Sequence, residues 1–581
     1  MTFDLRMHNN IRSNAKNKKM LSLGIIILFA LTEYLIIYEY TSQIEYYMIN
    51  IFDRTSILIL SIISFMIILV SFSINNRYYF FILILFILLR FSSLIIPYLQ
   101  GYALYGHGDI LTHLGYLGQV IETGHISEQI PSRYPALYTL LSTLLIVSNI
   151  SHKNYLSMLF QPFSCSLYIL FLSMLYKSQD GIKPVSKKMY IYSLMVAFLC
   201  TVGMFGSKVS PTPYGFSSIL IPLLMLILFK ESTKTIILLL PLYIVLPQFH
   251  PLIASIIIAY FVIDTILSCI ISLEKAKTTN TNRIVILIIT LLLNWIIYTG
   301  ILLVTAIKTF RVIMAFMQDN IPKSALYISK ASKVHLSLLN KIIIATMYYG
   351  EFVIILILSI LFVYSMRKSR LWIATISALL ISSLTIVMFL VPVGFNPSRI
   401  FYVVATVFSL SSAVYITTKI TSKSTLKRYK WIWGTLLSIL ILISMLDSYW
   451  SPLNYRPNDK VPIDEITSAQ WMSNYAYQKI VNHGLCEMSL GSTYRIMNYI
   501  GLLNINKYDV LIIPDHFNWK GAKRPCYFAT YLRVFIIYST LYKDISRYTP
   551  TDYDKISSSD KYDKLYSAYG SNVWRLTSSG E

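Results

Sequence analysis

The chain has 581 residues, 55% of them hydrophobic and 13% charged, with 50 Lys and Arg against 27 Asp and Glu, and a mean hydropathy of +0.59. A water-facing surface needs roughly 25% charged residues, so this composition excludes an ordinary soluble protein and points to a chain that crosses a lipid bilayer many times. The net charge of +23 does not indicate nucleic acid. The basic residues stand in short clusters between apolar runs, at 12–19, 183–188, 275–283, 367–370 and 419–430, where the positive-inside rule places cytoplasmic loops.

In chain order, residues 1–19 read as a cytoplasmic N-terminal tail. The apolar run that follows, 20–40, is longer than the core of a signal peptide and has no small-residue cleavage site; it reads as an uncleaved first span. Further segments of spanning or near-spanning length lie at 54–73, 78–98, 134–149, 155–176, 189–205, 214–229, 234–248, 251–272, 284–305, 341–366, 371–391, 400–418 and 430–447. Two long interruptions, 100–133 and 308–340, contain amphipathic stretches such as 110–121 that suit an interface. Beyond residue 447 hydropathy falls, and 448–581 reads as a small soluble α/β domain, with a helix over 463–476 and buried strands at 510–513 and 532–538.

Topology sharpens the count. With the basic loops inside, the C-terminal domain, residues 308–340, His250 and Arg399 fall outside. Counting forward from an inside N-terminus puts loop 100–133 outside too. Both counts hold only if one segment between 134 and 177 fails to cross, and 134–149 is the short one. Fourteen candidates then become about thirteen transmembrane helices. Within the spans, Glu33 and Arg90 suit a structural ion pair, and Glu351 is a further intramembrane charge. Cys165, Cys200 and Cys269 lie in apolar runs as small hydrophobes. Cys486 and Cys526 lie in the polar tail and could form a disulfide if that tail is outside, and are free thiols if not.

Three places concentrate chemistry. Loop 100–133 carries His107, Asp109, His113 and His125 and ends Arg133-Tyr134-Pro135. Asp109 and His113 are four apart, on one face of a helix. They could ligate a divalent metal, with His107 as a further ligand, or Asp109 could accept a proton from an attacking hydroxyl. Asp is equally a preferred helix cap. His250, just before Pro251, could bind a metal or phosphate, or be an interfacial residue with one hydrogen bond. Arg399, after Asn396-Pro397-Ser398, suits a lipid phosphate because its guanidinium binds oxygens bidentately, or is a snorkelling cation.

These residues resemble the GT-C superfamily of polytopic glycosyltransferases that use polyprenyl-phosphate sugar donors. The likeness rests on an acid in a large external loop, Asp109, followed 25 positions later by Tyr134-Pro135-Ala136-Leu137. In the tail, Pro462-Ile463-Asp464-Glu465 and Ser468-Ala469-Gln470-Trp471 resemble the helix that opens the external domain of archaeal members. Lys564-Leu565-Tyr566-Ser567 to Gly570, then Val573-Trp574, resembles their terminal strand. Two features depart from the family pattern: the loop follows the third candidate span rather than the first, and no clear Asp-x-Asp or Glu-x-Asp pair is present.

What the resemblance implies is inverting transfer at the outer face. Asp109 would orient or deprotonate the acceptor, and Arg399 would face the lipid phosphate. His250, Tyr134 and Arg133 would contact substrate. A divalent metal, Mg or Mn, held near His107 and His113, is an option. The implied partners are membrane lipid, the polyprenyl-phosphate sugar donor, and a glycan, lipid or protein acceptor. A transporter or flippase of lipid-linked glycans would instead need midplane polar residues and internal repeats, of which the sequence shows few and none. A polysaccharide polymerase or ligase would differ in its acceptor, and a non-catalytic member would use its external domain to bind.

Overall fold

A computed structural model describes residues 98, 102–104, 109–126, 134–150, 153–178, 196, 211–230, 233–271, 285–286, 288–294, 296, 307, 311, 337–366, 369–390, 398–416, 418, 461–483, 485–488, 493–500, 511–513, 517, 526–532, 534–535, 548–568 and 571–577. The expected spans at 20–40, 54–73, 78–98, 189–205 and 430–447, and the Glu33–Arg90 pair, lie wholly or almost wholly outside these residues. What is described is mostly helical, with a small sheet unit at the C-terminal end.

The apolar runs fold as helices: α1 (Asp109–Thr123), α2 (Pro135–Ser148), α3 (Lys153–Lys177), α4 (Pro213–Leu224), α5 (Thr233–Phe249), α6 (Pro251–Ile270), α7 (Leu338–Ala345), α8 (Glu351–Ser365), α9 (Arg370–Leu390) and α10 (Ser398–Tyr415). Helices α2, α4 and α6 each start on Pro, whose fixed φ suits the first helical position and whose missing N–H is not needed there. The residue before a Pro is pushed out of the helical region. Tyr134 and His250 are such residues, so their side chains leave the helix axis at the turn. Asn149 ends α2 in the left-handed region (φ 53°), which Asn tolerates better than most residues.

Two described helical stretches, Met158–Tyr176 and Pro251–Ile270, are long and apolar enough to cross a membrane. The helices pack around an apolar core and also carry apolar residues on the outside. Aliphatic side chains face outward, Leu238 at 76% and Ile270 at 71% exposure, while Ser and Thr hydroxyls are buried between helices. Ser359 of α8 bonds Ser411 of α10 at 2.8 Å, and Tyr176 of α3 donates to the Ser409 carbonyl at 2.7 Å. Small hydroxyl residues let helices approach closely and bond across the contact. Asp264 of α6 is fully buried and paired with Arg370 of α9, which also donates to Ser268 Oγ and the Leu228 carbonyl. The sequence reads Arg370 as a loop cation; its side chain turns back into the bundle.

Helix α2 begins against His113 and His250. After a link of four residues α3 starts, and Phe160, early in α3, rests on Phe216 at the start of α4. Both ends of α2 therefore lie near one end of the bundle.

The C-terminal unit is α11 (Ile463–His483), α12 (Thr493–Tyr499) and α13 (Pro550–Ser558) with a five-stranded mixed sheet, β3 (Leu485–Glu487), β4 (Leu511–Ile512), β5 (Cys526–Tyr531), β6 (Tyr562–Ala568) and β7 (Ser571–Leu576), in the order β4-β3-β5-β7-β6. The helix expected over 463–476 is present and runs longer. The strand expected at 532–538 is corrected: the strand is Cys526–Tyr531, and Leu532, Val534 and Phe535 are helical. A short apolar run does not by itself separate buried strand from helix, and Cys526–Tyr531 is the segment enclosed between β3 and β7. Cys486 and Cys526 are buried free thiols, and their mutual hydrogen bond, with burial, pushes the Cys486 thiol up.

Loop 100–133 and this unit are joined. Strand β1 (Tyr102–Leu104) pairs antiparallel with β2 (Val461–Pro462), and α1 lies on α12. That second contact needs a glycine: a Cβ at Gly115 would sit 2.1 Å from the Asn498 carbonyl oxygen.

Candidate active site

Four segments that are remote in sequence meet at the end of the bundle where α2, α4, α6 and α10 begin. Asp109 opens α1 with its carboxylate 71% exposed and accepts a hydrogen bond from Arg495 Nη1 at 2.7 Å. The arginine is delivered by the sheet. Trp574 of β7 donates to Thr530 Oγ1 (2.9 Å), and the neighbouring Tyr531 hydroxyl donates to Thr493 Oγ1 (2.9 Å) at the start of α12. Arg495 is on that helix.

One turn after Asp109, His113 Nδ1 shares a 2.7 Å hydrogen bond with the Tyr138 hydroxyl and meets the Tyr134 ring edge-on at 5.8 Å. Tyr134 in turn stacks on His250, 5.7 Å between centroids and 13° between planes. His250 is buried. It meets Tyr214 edge-on at 5.4 Å, and the Arg399 guanidinium lies 5.1 Å over the Tyr214 ring. The Tyr214 hydroxyl donates to the Arg399 carbonyl at 3.3 Å. A run of ring contacts thus leads from the helix of Asp109 to Arg399.

Both imidazoles are held neutral. Burial, followed by the Arg399 charge, lowers His250 to about 3. Its Nδ1 accepts from the Ile253 N–H at 3.4 Å, capping α6, a role that puts the ring proton on Nε2. Burial lowers His113 to about 4, with Asp109 pulling it up and Arg495 pushing it down.

Of the residues singled out from sequence, Asp109, His113, Tyr134, His250 and Arg399 are brought into this one cluster. His125 is not: at the exposed end of α1 its Nδ1 meets the carbonyl of neighbouring Thr123. His107 and Arg133 lie outside the described residues. Among the described residues no three His, Cys, Asp or Glu side chains converge as a metal site. Among these donors His113 Nδ1 is paired with Tyr138 and Asp109 Oδ1 with Arg495. Sequence reading missed Tyr214 and Arg495, and took Tyr138 only as the close of the motif that begins Tyr134-Pro135. Of the two missed, only Tyr214 had a signal, following Pro213 at the same kind of helix start as Tyr134-Pro135 and His250-Pro251.

No protein-family model and no curated protein matches the chain. Among solved structures it is similar to the Archaeoglobus fulgidus oligosaccharyltransferase, crystallised in complex with Zn and sulfate. The TM-score is 0.40 and the identity 11%, over 70% of this chain and 59% of that one. A likeness that distant carries no argument about activity, and the functional reading rests on the cluster itself.

Proposed function

We propose that the chain is a membrane glycosyltransferase of GT-C type, moving a sugar from a polyprenyl-phosphate donor to an acceptor at the outer face. In this reading residues 20–447 form about thirteen spans with external loops 100–133 and 308–340. Residues 1–19 are cytoplasmic and 448–581 form an external domain. The lipid-facing aliphatic surfaces and buried hydroxyls support the membrane setting. The β1–β2 pairing and the Gly115 contact support a common side for the loop and the C-terminal unit, and the turn-back of α2 supports thirteen spans rather than fourteen.

The observation that carries the reading is the linkage of an exposed carboxylate to a buried-edge arginine through neutral rings. Arg495 takes Asp109 Oδ1, and Oδ2 is assigned to the acceptor. The acceptor O–H proton passes to Oδ2 while the oxygen attacks the anomeric carbon from the face opposite the phosphate. The glycosidic C–O bond forms with inversion, and the bond from that carbon to the phosphate oxygen breaks. The leaving polyprenyl phosphate takes the electron pair, and its charge falls toward Arg399. Tyr134, which is half-buried, is the ring of the cluster that can meet a sugar. No step passes through a metal.

Steady-state kinetics in proteoliposomes test the division of roles, using a polyprenyl-phosphate hexose series as donor. Arg399→Lys keeps the charge but loses the bidentate fork, and it is expected to lose about tenfold in turnover. Tyr134→Ala is expected to raise the donor KM with a smaller effect on turnover. Wild-type kinetics in both variants would remove the cluster from the donor site.

A further inference from the structure

The solvent side of α11 carries a strip that the transfer mechanism does not use. Trp471, Asn474, Tyr475 and Gln478 stand at i, i+3, i+4 and i+7 of one helix and so share a face. Asn474, Tyr475 and Gln478 are exposed and Trp471 is half-buried; Tyr475 is 71% exposed. Tyr566 of edge strand β6 stacks on Trp471 at 5.4 Å and 18°, and Tyr475 continues the row at 5.5 Å from Trp471. Three rings therefore form one offset stack, with Tyr475 at its exposed end. Elsewhere in the same unit Trp574, Tyr531 and Tyr548 are buried in the core. Burial does not explain a phenol ring left almost wholly in water.

The chemistry of the strip selects its occupant. A helix face that lies on lipid sets Lys and Arg beside its apolar residues, and these five side chains include no Lys or Arg. A stable protein interface covers about 800 Å² on each partner, whereas two helical turns span only about 10 Å. None of the five is charged, so a phosphate or carboxylate finds no cation among them. Aromatic faces are apolar and flat and match the C–H faces of pyranose rings. Each carboxamide both donates and accepts, as a row of sugar hydroxyls requires. We propose that Trp471, Tyr475 and Tyr566, flanked by Asn474 and Gln478, form a binding strip for a neutral glycan, separate from the Asp109 cluster. This inference does not rest on the transfer reading.

The test is saturation-transfer NMR on the full-length protein in nanodiscs. The probes are maltohexaose, cellohexaose and mannohexaose, with a hexameric polyuronate as the anionic control. At least one neutral hexasaccharide is expected to bind, and Tyr475→Ala, at a site too exposed to unsettle the fold, is expected to weaken it at least fivefold. Asp109→Asn should bind like wild type, which separates glycan binding at the strip from sugar transfer at the cluster. Three results would overturn the proposal: no neutral hexasaccharide binds, Tyr475→Ala binds as wild type does, or the polyuronate binds more tightly than every neutral probe.

Discussion

Replacing Gly115 with Ala tests how the C-terminal unit meets loop 100–133, because two effects of opposite sign compete there. Ala is the better helix former by roughly 1 kcal/mol, so at an open position in α1 it would stabilise. Here the added Cβ lands 2.1 Å from the Asn498 carbonyl oxygen, 2.7 Å from its carbon and 3.2 Å from the Tyr499 Cα. All three are backbone atoms and cannot rotate away. Reaching ordinary contact at 3.4 Å opens the α1–α12 interface by about 1.3 Å. Overpacking of this kind typically costs 1–3 kcal/mol. An opening of ~1 Å also forfeits a quarter to a half of the dispersion energy across the contact. The net expectation is a docking loss of about 1–2 kcal/mol, with the 2.7 Å Arg495–Asp109 bond stretched beyond hydrogen-bonding range. Hydrogen exchange by mass spectrometry should show faster exchange in α12 and β1, a lower melting temperature in detergent, and little change in α8 or α10. Unchanged exchange with a raised melting temperature would mean that α1 is open to solvent at Gly115 and that the helix contact is wrong.

Other consequences follow from the buried charges. His250 is lowered to about 3 in the folded protein and returns to about 6.5 when unfolded, so its stability contribution is complete above pH 6.5 and is lost as pH falls toward 3. Between pH 7.5 and 5 the loss is about 2 kcal/mol. His250→Asn keeps a helix-capping side chain without the titration, so its stability gap to wild type should shrink by that amount over the same interval; parallel melting curves against pH would contradict the assignment. Asp264→Ala leaves Arg370 among apolar helices without its carboxylate and should cost about 3 kcal/mol or more, with much of that recovered in Asp264→Ala/Arg370→Met. A single-variant loss below about 1 kcal/mol, the scale of an exposed pair, would show the pair to be solvated. Tyr138→Phe removes the hydroxyl bonded to His113 Nδ1 and should cost about 1 kcal/mol; a stability equal to wild type would show that bond to be absent.

Much of the architecture was legible because it is written in local patterns. The apolar runs at 155–176, 214–229, 234–248, 251–272, 371–391 and 400–418 correspond to α3 through α6, α9 and α10. The Pro after Tyr134 and after His250 marks helix starts, and those two side chains meet at the site for that reason. The four-residue spacing of Asp109 and His113 is a helical face, and the structure keeps it. What was not legible came from docking. Arg495 reaches Asp109 across 386 positions, and nothing around Thr493-Tyr494-Arg495 announces it. Asp264 is one carboxylate in an apolar run, and only the turn of Arg370 back into the bundle gives it a partner. The strand lies at Cys526–Tyr531 although 532–538 is the more apolar run, because pairing with β3 and β7 decides it.

The most direct measurement is transfer of a radiolabelled hexose from a polyprenyl-phosphate donor series to endogenous acceptors in membranes carrying the full-length protein. Wild type is compared with Asp109→Asn, which preserves shape and the Arg495 contact but removes the basic oxygen. The account predicts labelled product from wild type and a loss of at least about a hundredfold in Asp109→Asn, the lower range of general-base effects, with both proteins equally inserted. Product from Asp109→Asn at the wild-type rate would contradict it.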